Sequence, residues 1–216
     1  GLKNGHQGLF VSFEESRDQI LRNVRSFGWD LEKYEKEGLL KIIVSYPEQR
    51  YLEEHINEIC QTVDEFGAKL VVIDSLSSLG NVFSEDILRD FVSRTNAYLK
   101  EQLVTTIYTN ATQTLLGAAE ITDSHLSTIT DHIIMLRYVE IHSELHHALL
   151  ILKMRGSKHD KKLRELVFGD EGLQLSKEFQ GFEGVLSGTT RQVQLPEGAK
   201  DLLDLEKKKK GHGIFS

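Results

Sequence analysis

Four consecutive apolar residues, Leu70-Val71-Val72-Ile73, run directly into a carboxylate and a hydroxyl at Asp74-Ser75. Three of the four are β-branched, and so short an apolar run without polar alternation reads as a central parallel strand buried on both faces. A strand of that kind constrains the whole chain, because a parallel sheet needs crossover helices and both of its faces covered. In an open α/β sheet, polar residues just past the carboxyl end of a central strand line the ligand crevice.

The rest of the chain supplies the elements such a sheet demands. A turn-rich start delivers the chain into a strand over residues 9–13, followed by Glu14-Glu15 and a helix over 17–26 capped by Ser16. Gly28 ends that helix, and Asp30 begins a short charged one that closes at Gly38. Residues 39–44 read as a second buried strand. A helix over 52–66 follows, with Leu52, Ile56, Ile59, Val63 and Phe66 at helical spacing. Beyond the strand that ends at Asp74, a helix over 85–102 and a strand over 103–108 complete a regular alternation.

After Asn110 the pattern changes. A polar loop rich in Thr and Gly spans 111–127, and two strands over 132–141 and 145–154 are joined at His142-Ser143-Glu144. Residues 163–168 and 173–175 form a further hairpin, so the second half is expected to be antiparallel and to extend the sheet at one edge. From about Ser187 the composition turns polar and a mobile tail is expected, with the run Lys207–Lys210 as a solvated end. One domain over residues 1–186 and a tail over 187–216 is the resulting division.

Composition narrows the class. No apolar run approaches the roughly 20 residues that cross a bilayer, and no basic-then-apolar start marks export. The single cysteine, Cys60, leaves no internal disulfide framework and fits a reducing cytoplasm. A net charge of -7 argues against a surface built to coat nucleic acid.

The chemistry-bearing residues gather by topology. Parallel strands bring their carboxyl ends together, so Glu14, Glu15, Asp74 and Asn110 are expected on one rim of the sheet. One carboxylate there can hold magnesium through water while another takes a proton from water or a hydroxyl. The plainer readings are that Asp74 caps the next segment and that Glu14-Glu15 favours a helix N-terminus. Lys153-Met154-Arg155-Gly156-Ser157-Lys158-His159-Asp160-Lys161 is a basic loop leaving a strand. It suits a phosphate chain, or a finger inserted into a neighbouring subunit's site, and alone it also reads as a solvated loop.

The order of these motifs resembles the KaiC family of circadian clock proteins, within the RecA-like ATPases. Phe13-Glu14-Glu15-Ser16, Ile73-Asp74-Ser75-Leu76-Ser77, Thr109-Asn110, the Ser/Thr segment over 121–131 and Lys153-Met154-Arg155-Gly156-Ser157 carry the likeness, which covers residues 1–188. It implies an α/β, RecA-like fold of the P-loop NTPase type, with a mainly parallel sheet flanked by helices and antiparallel C-terminal strands. It also implies a homo-hexamer with ATP and magnesium between subunits, and clock or signalling proteins as partners. Asp74 would be the Walker B carboxylate, sharing magnesium with Glu14, and Glu14 and Glu15 the catalytic pair. Phe27 falls where the family sets an aromatic against adenine, although a core Phe is an equal reading.

The same resemblance assigns His147, Lys153, Met154, Arg155, Ser157, His159 and Lys161 to contacts with the nucleotide of the adjacent subunit. Lys153 and Arg155 would offset the charge of the transferring phosphoryl group. His147 stands where an arginine is usual, and Lys158 replaces an aromatic. Ser127 and Thr128 coincide with the adjacent pair that the clock protein phosphorylates on itself, with Thr122 and Asp123 just upstream. One departure is large: no Gly-x-x-x-x-Gly-Lys-[Ser/Thr] occurs in these residues. A fragment whose first strand and P-loop lie upstream is the expectation. A non-catalytic RecA-like interaction module is the competing one.

Overall fold

The protein is seen in a computed structural model that describes residues 1–111, 126–169, 172–178, 182–183 and 191–192. Four parallel strands form the first sheet: β1 (Gly8–Ser12), β2 (Leu40–Val44), β3 (Leu70–Asp74) and β4 (Thr105–Tyr108). Their spatial order is β2-β1-β3-β4, so β1, which leads into Glu14-Glu15, and β3, which ends at Asp74, lie side by side at the centre. The register sets Ser12 level with Asp74 on one side and with Val44 on the other.

Helices α1 (Arg17–Arg25), α2 (Leu31–Lys36), α3 (Leu52–Phe66), α4 (Leu76–Gly80) and α5 (Glu85–Glu101) connect and flank the sheet. Ser16 caps α1 through a capping box with Gln19, and Gly67 ends α3 at a φ of 70°. The core lies where α3 and α5 meet the sheet. Ile56, Ile59 and Val63 of α3 and Phe91, Val92 and Leu99 of α5 pack with Leu9, Val11, Val71 and Ile73. Each side chain of that size contributes roughly 1.5–3 kcal/mol when fully buried.

Two strand expectations are corrected. β3 was expected to be buried on both faces, yet only Val71 and Ile73 are fully buried while Leu70, Val72 and Asp74 are half-covered. The α3–α5 layer seals one face, and the opposite face is only partly screened. β2, expected as a buried strand, is the edge of its sheet and exposes Lys41.

The second half is antiparallel, as the hairpin signals predict. Strands β5 (His132–Ile141), β6 (Glu144–Met154), β7 (Arg164–Gly169) and β8 (Gly172–Glu178) run in sequence order. The β5–β6 turn places His142 and Ser143 at φ of 51° and 64°, the left-handed pair that a tight hairpin requires. These strands were expected to extend the first sheet. Among the described residues they form a sheet of their own, because β4 pairs only with β3 and β5 only with β6.

A short helix α6 (Leu126–Ile129) precedes β5 and packs on the end of α5. Strands β9 (Phe182–Glu183) and β10 (Arg191–Gln192) pair antiparallel, and the expected boundary at 186/187 falls between them. Most of the expected tail, including Lys207–Lys210, lies outside the described residues, as do Thr122 and Asp123.

Candidate active site

The acidic rim begins at Ser12, the last residue of β1, which is fully buried. Its hydroxyl donates to the Glu15 carbonyl at 2.8 Å and accepts from the Glu15 amide at 2.9 Å. That tight turn lifts Glu14 and Glu15 over the carboxyl end of the sheet. Next door, the Phe13 amide donates to the Asp74 carbonyl at 2.7 Å, locking the two strand ends together. Glu14, Glu15 and Asp74 therefore share one rim, as parallel topology requires.

The three carboxylates are wired differently. Glu14 turns toward α4, where its Oε2 accepts from Ser78 Oγ at 3.1 Å and from Ser75 Oγ at 3.3 Å. A hydroxyl has one hydrogen to give, so Ser75 donating to Glu14 must accept from Ser77 at 2.9 Å. Ser77 in turn accepts from the Ala111 amide at 3.1 Å, just past β4 and Asn110. Glu15 turns the other way and accepts from Asn23 Nδ2 of α1 at 2.9 Å. Asp74 Oδ1 accepts from the Thr109 hydroxyl at 2.5 Å. The cap reading of Asp74 gains no support, since α4 is preceded by Ser75 and shows no side-chain cap bond.

The cationic loop sits elsewhere. Lys153 is the last residue but one of β6, and its Nζ donates to the carbonyls of Ser127 and Thr130, the latter at 2.8 Å. Arg155 donates from Nη2 to the Thr128 carbonyl at 3.0 Å and from Nη1 to Asp131 at 3.5 Å. Asn96 and Lys100, late in α5, reach the Ile129 carbonyl at 3.1 Å and the Asp131 carboxylate at 2.7 Å. The Lys100 bond, with Arg155 nearby, holds the Asp131 carboxyl below the usual range. Because α5 returns the chain to the beginning of β4, this cluster lies toward the edge where the parallel strands start. Within one chain, the cations and the Ser127-Thr128 pair are thus remote from the acidic rim.

Met154 closes β6 between the two cations, and Ser157, His159 and Lys161 follow in the loop opened by Gly156, at a φ of 76°. Asp160 there pairs with Arg164 at 2.6 Å, and the bond from Arg164 holds its carboxyl below the usual range. His147 lies six residues before Lys153 on β6, about 20 Å along an extended strand, so the two do not meet at one point. Instead His147 packs on Tyr138 at 4.7 Å and on Phe168 at 5.0 Å between ring centroids. Phe27, 43% exposed, stands 5.9 Å from Phe168 and 6.3 Å from Trp29. The core reading of Phe27 is therefore set aside, and Phe27 and His147 join one exposed aromatic patch.

Sequence reasoning did not single out Ser12, Asn23, Ser78, Trp29, Tyr138 or Phe168. The hairpin pattern could have supplied Phe168, because β7 alternation puts it on the face of Leu166, level with His147. Nothing in the sequence marks Asn23 as the partner of Glu15.

The fit to a nucleotide and magnesium rests on the donor set. The rim offers carboxylate and hydroxyl oxygens, the hard ligands magnesium takes, and no three His, Cys, Asp or Glu side chains gather as a metal cage among the described residues. Magnesium uses one or two carboxylates and completes its shell with water and phosphate, and Asp74 and Glu14 are the carboxylates that could hold it. Among the described residues no helix is long and apolar enough to cross a membrane.

Known proteins resemble this chain closely. A family model described as the KaiC ATPase matches residues 1–179. The circadian clock oscillator protein KaiC of Thermostichus vulcanus is 41% identical over 212 residues, covering 95% of this chain and 41% of the relative. KaiC of Synechococcus elongatus is 41% identical over 194 residues, covering 90% and 37%. The circadian clock protein KaiC3 of Synechocystis is 42% identical over 189 residues, covering 88% and 37%. The chain spans about two fifths of the length of these relatives, from 37% to 41%.

Proposed function

The chain belongs to the KaiC ATPase family, and from that premise we propose that it is one ATP-handling unit of a KaiC-type protein. The observation that carries this reading is the convergence of Glu14, Glu15 and Asp74 at one rim. Lys153, Arg155, Ser127 and Thr128 form a separate cluster on the other edge.

A unit with complementary half-sites on opposite edges completes its chemistry head to tail, so that one copy's rim faces the next copy's cations. A homo-hexamer with nucleotide at each junction is the proposed assembly. Glu14 or Glu15 accepts the proton of an attacking water, or of the Ser127 or Thr128 hydroxyl, at its carboxylate oxygen. The Ser75–Ser77–Ser78 network orients Glu14, and Asn23 orients Glu15. Asp74, fixed by Thr109, with Glu14 beside it, would hold magnesium. Bound magnesium would supply charge neutralisation at the β- and γ-phosphates. Lys153 and Arg155 of the adjacent copy offset charge on the transferring oxygens, with Met154, Ser157, His159 and Lys161 lining the same side and His147 contributing from the aromatic patch farther along β6. Phe27 supplies a face for the base. The soluble cytoplasm, clock or signalling partners and autokinase activity at Ser127-Thr128 belong to the same proposal.

The test uses the longest natural polypeptide that contains these residues. Changing Glu14 and Glu15 together to Gln is expected to lower ATP hydrolysis and phosphorylation of Ser127-Thr128 by at least roughly 100-fold, the usual worth of a general base. Undiminished turnover would reject the assignment. A second reading is a RecA-like interaction module that does not turn over ATP. Calorimetric titration of the nucleotide with and without magnesium separates them, since the module binds neither form.

A further inference from the structure

The carbonyls of α6 are satisfied from outside the helix. A helix of four residues leaves its final carbonyls without intrahelical partners, and each then needs a donor. The Leu126 carbonyl takes the Thr130 amide at 3.1 Å and hydroxyl at 3.0 Å. The Ser127 and Thr130 carbonyls accept from Lys153 Nζ, that of Thr128 from Arg155 Nη2, that of Ile129 from Asn96 Nδ2, and that of Asp131 from the Arg155 amide at 3.0 Å. The turn that carries Ser127 and Thr128 is thus held in large part by two cations from the end of β6.

We propose that Lys153 and Arg155 act within their own chain as positioning residues for the Ser127-Thr128 turn, and that polyphosphate arriving at these cations releases the turn. The inference rests on the functional reading above and adds a regulation to it. The bonds of these cations are charge-assisted on the donor side with either acceptor, but a phosphate oxygen adds a full negative charge where a carbonyl offers only a dipole. A polyphosphate therefore competes for the donors that hold α6. Coupling is reciprocal, so whatever anchors the turn also weakens polyphosphate binding at these cations. The Lys100–Asp131 pair and the bond from the Arg155 amide to the Asp131 carbonyl do not use the competing side chains, so they stay as an anchor at the C-terminal side and confine the loosening to residues 126–131.

The experiment is amide hydrogen exchange on the full 216-residue chain. Sodium tripolyphosphate is the probe, against sodium chloride at matched ionic strength. Tripolyphosphate is expected to speed exchange across residues 126–131 by roughly tenfold while leaving β1 and β3 unchanged. The double variant K153M/R155M should exchange fast from the outset and ignore the anion. The conservative K153R/R155K should restore slow exchange and the response. Unchanged or slowed exchange at 126–131 in the wild type with tripolyphosphate would overturn the proposal, as would a double variant as protected as the wild type. No turnover enters this measurement, so an inactive protein with an anion-sensitive turn fails only the functional reading. An active one with an indifferent turn fails only this one.

Discussion

His55 shows what a single buried side chain can impose. It lies 1% exposed, edge-on to Phe13 at 5.2 Å, with Nδ1 3.0 Å from Ser45 Oγ and Nε2 without a partner. Burial first, and then the charge of Arg50, push its pKa below the ordinary 6.5. The folded protein therefore binds this proton less readily than the unfolded chain. His55's contribution is complete above the unfolded value and is lost as pH falls below it. Urea midpoints are expected to drop as pH is lowered from about 7 to about 5, and His55→Phe should flatten that slope. Ser12 makes the matching case at the rim. Ser12→Ala removes the hydroxyl that folds the Glu14-Glu15 turn, leaving two backbone groups unmatched. It is expected to cost about 1–3 kcal/mol in urea unfolding.

Elements were legible to different depths, for physical reasons. The helix over 52–66 could be read directly because its apolar residues recur at helical spacing and Gly67 supplies the stop. The β5–β6 hairpin was legible from its alternation, and its turn supports a direct test. Ser143 pays the left-handed cost that glycine avoids, so Ser143→Gly is expected to raise stability by about 0.5–1 kcal/mol in thermal unfolding. The separation of the two sheets was not legible, because strand pairing across a long connection depends on contacts that local pattern does not encode. The site divides likewise. Glu14, Glu15 and Asp74 could be placed on one rim by topology alone. Their partners Asn23, Ser78 and Thr109 are long-range side-chain contacts that follow only from how α1, α4 and β4 pack. The attachment of Lys153 and Arg155 to α6 was equally hidden.

At the scale of the molecule, the antiparallel sheet leaves a broad apolar face open. Ile134 is 60% exposed, Leu136 62% and Leu175 59%, and the register places all three on one side. An apolar face of that kind favours association. Sedimentation velocity on the isolated chain is expected to show larger species as concentration rises, and L136E/L175E should shift the population toward monomer.

The placing of carboxylates on one edge and cations on the other has a genetic corollary. If each junction draws one half from either neighbour, a subunit damaged only on its acidic edge and one damaged only on its basic edge carry non-overlapping lesions. Two dead proteins, co-assembled, would then regain some junctions built wholly from healthy halves, and activity would reappear in the mixture though neither parent has any.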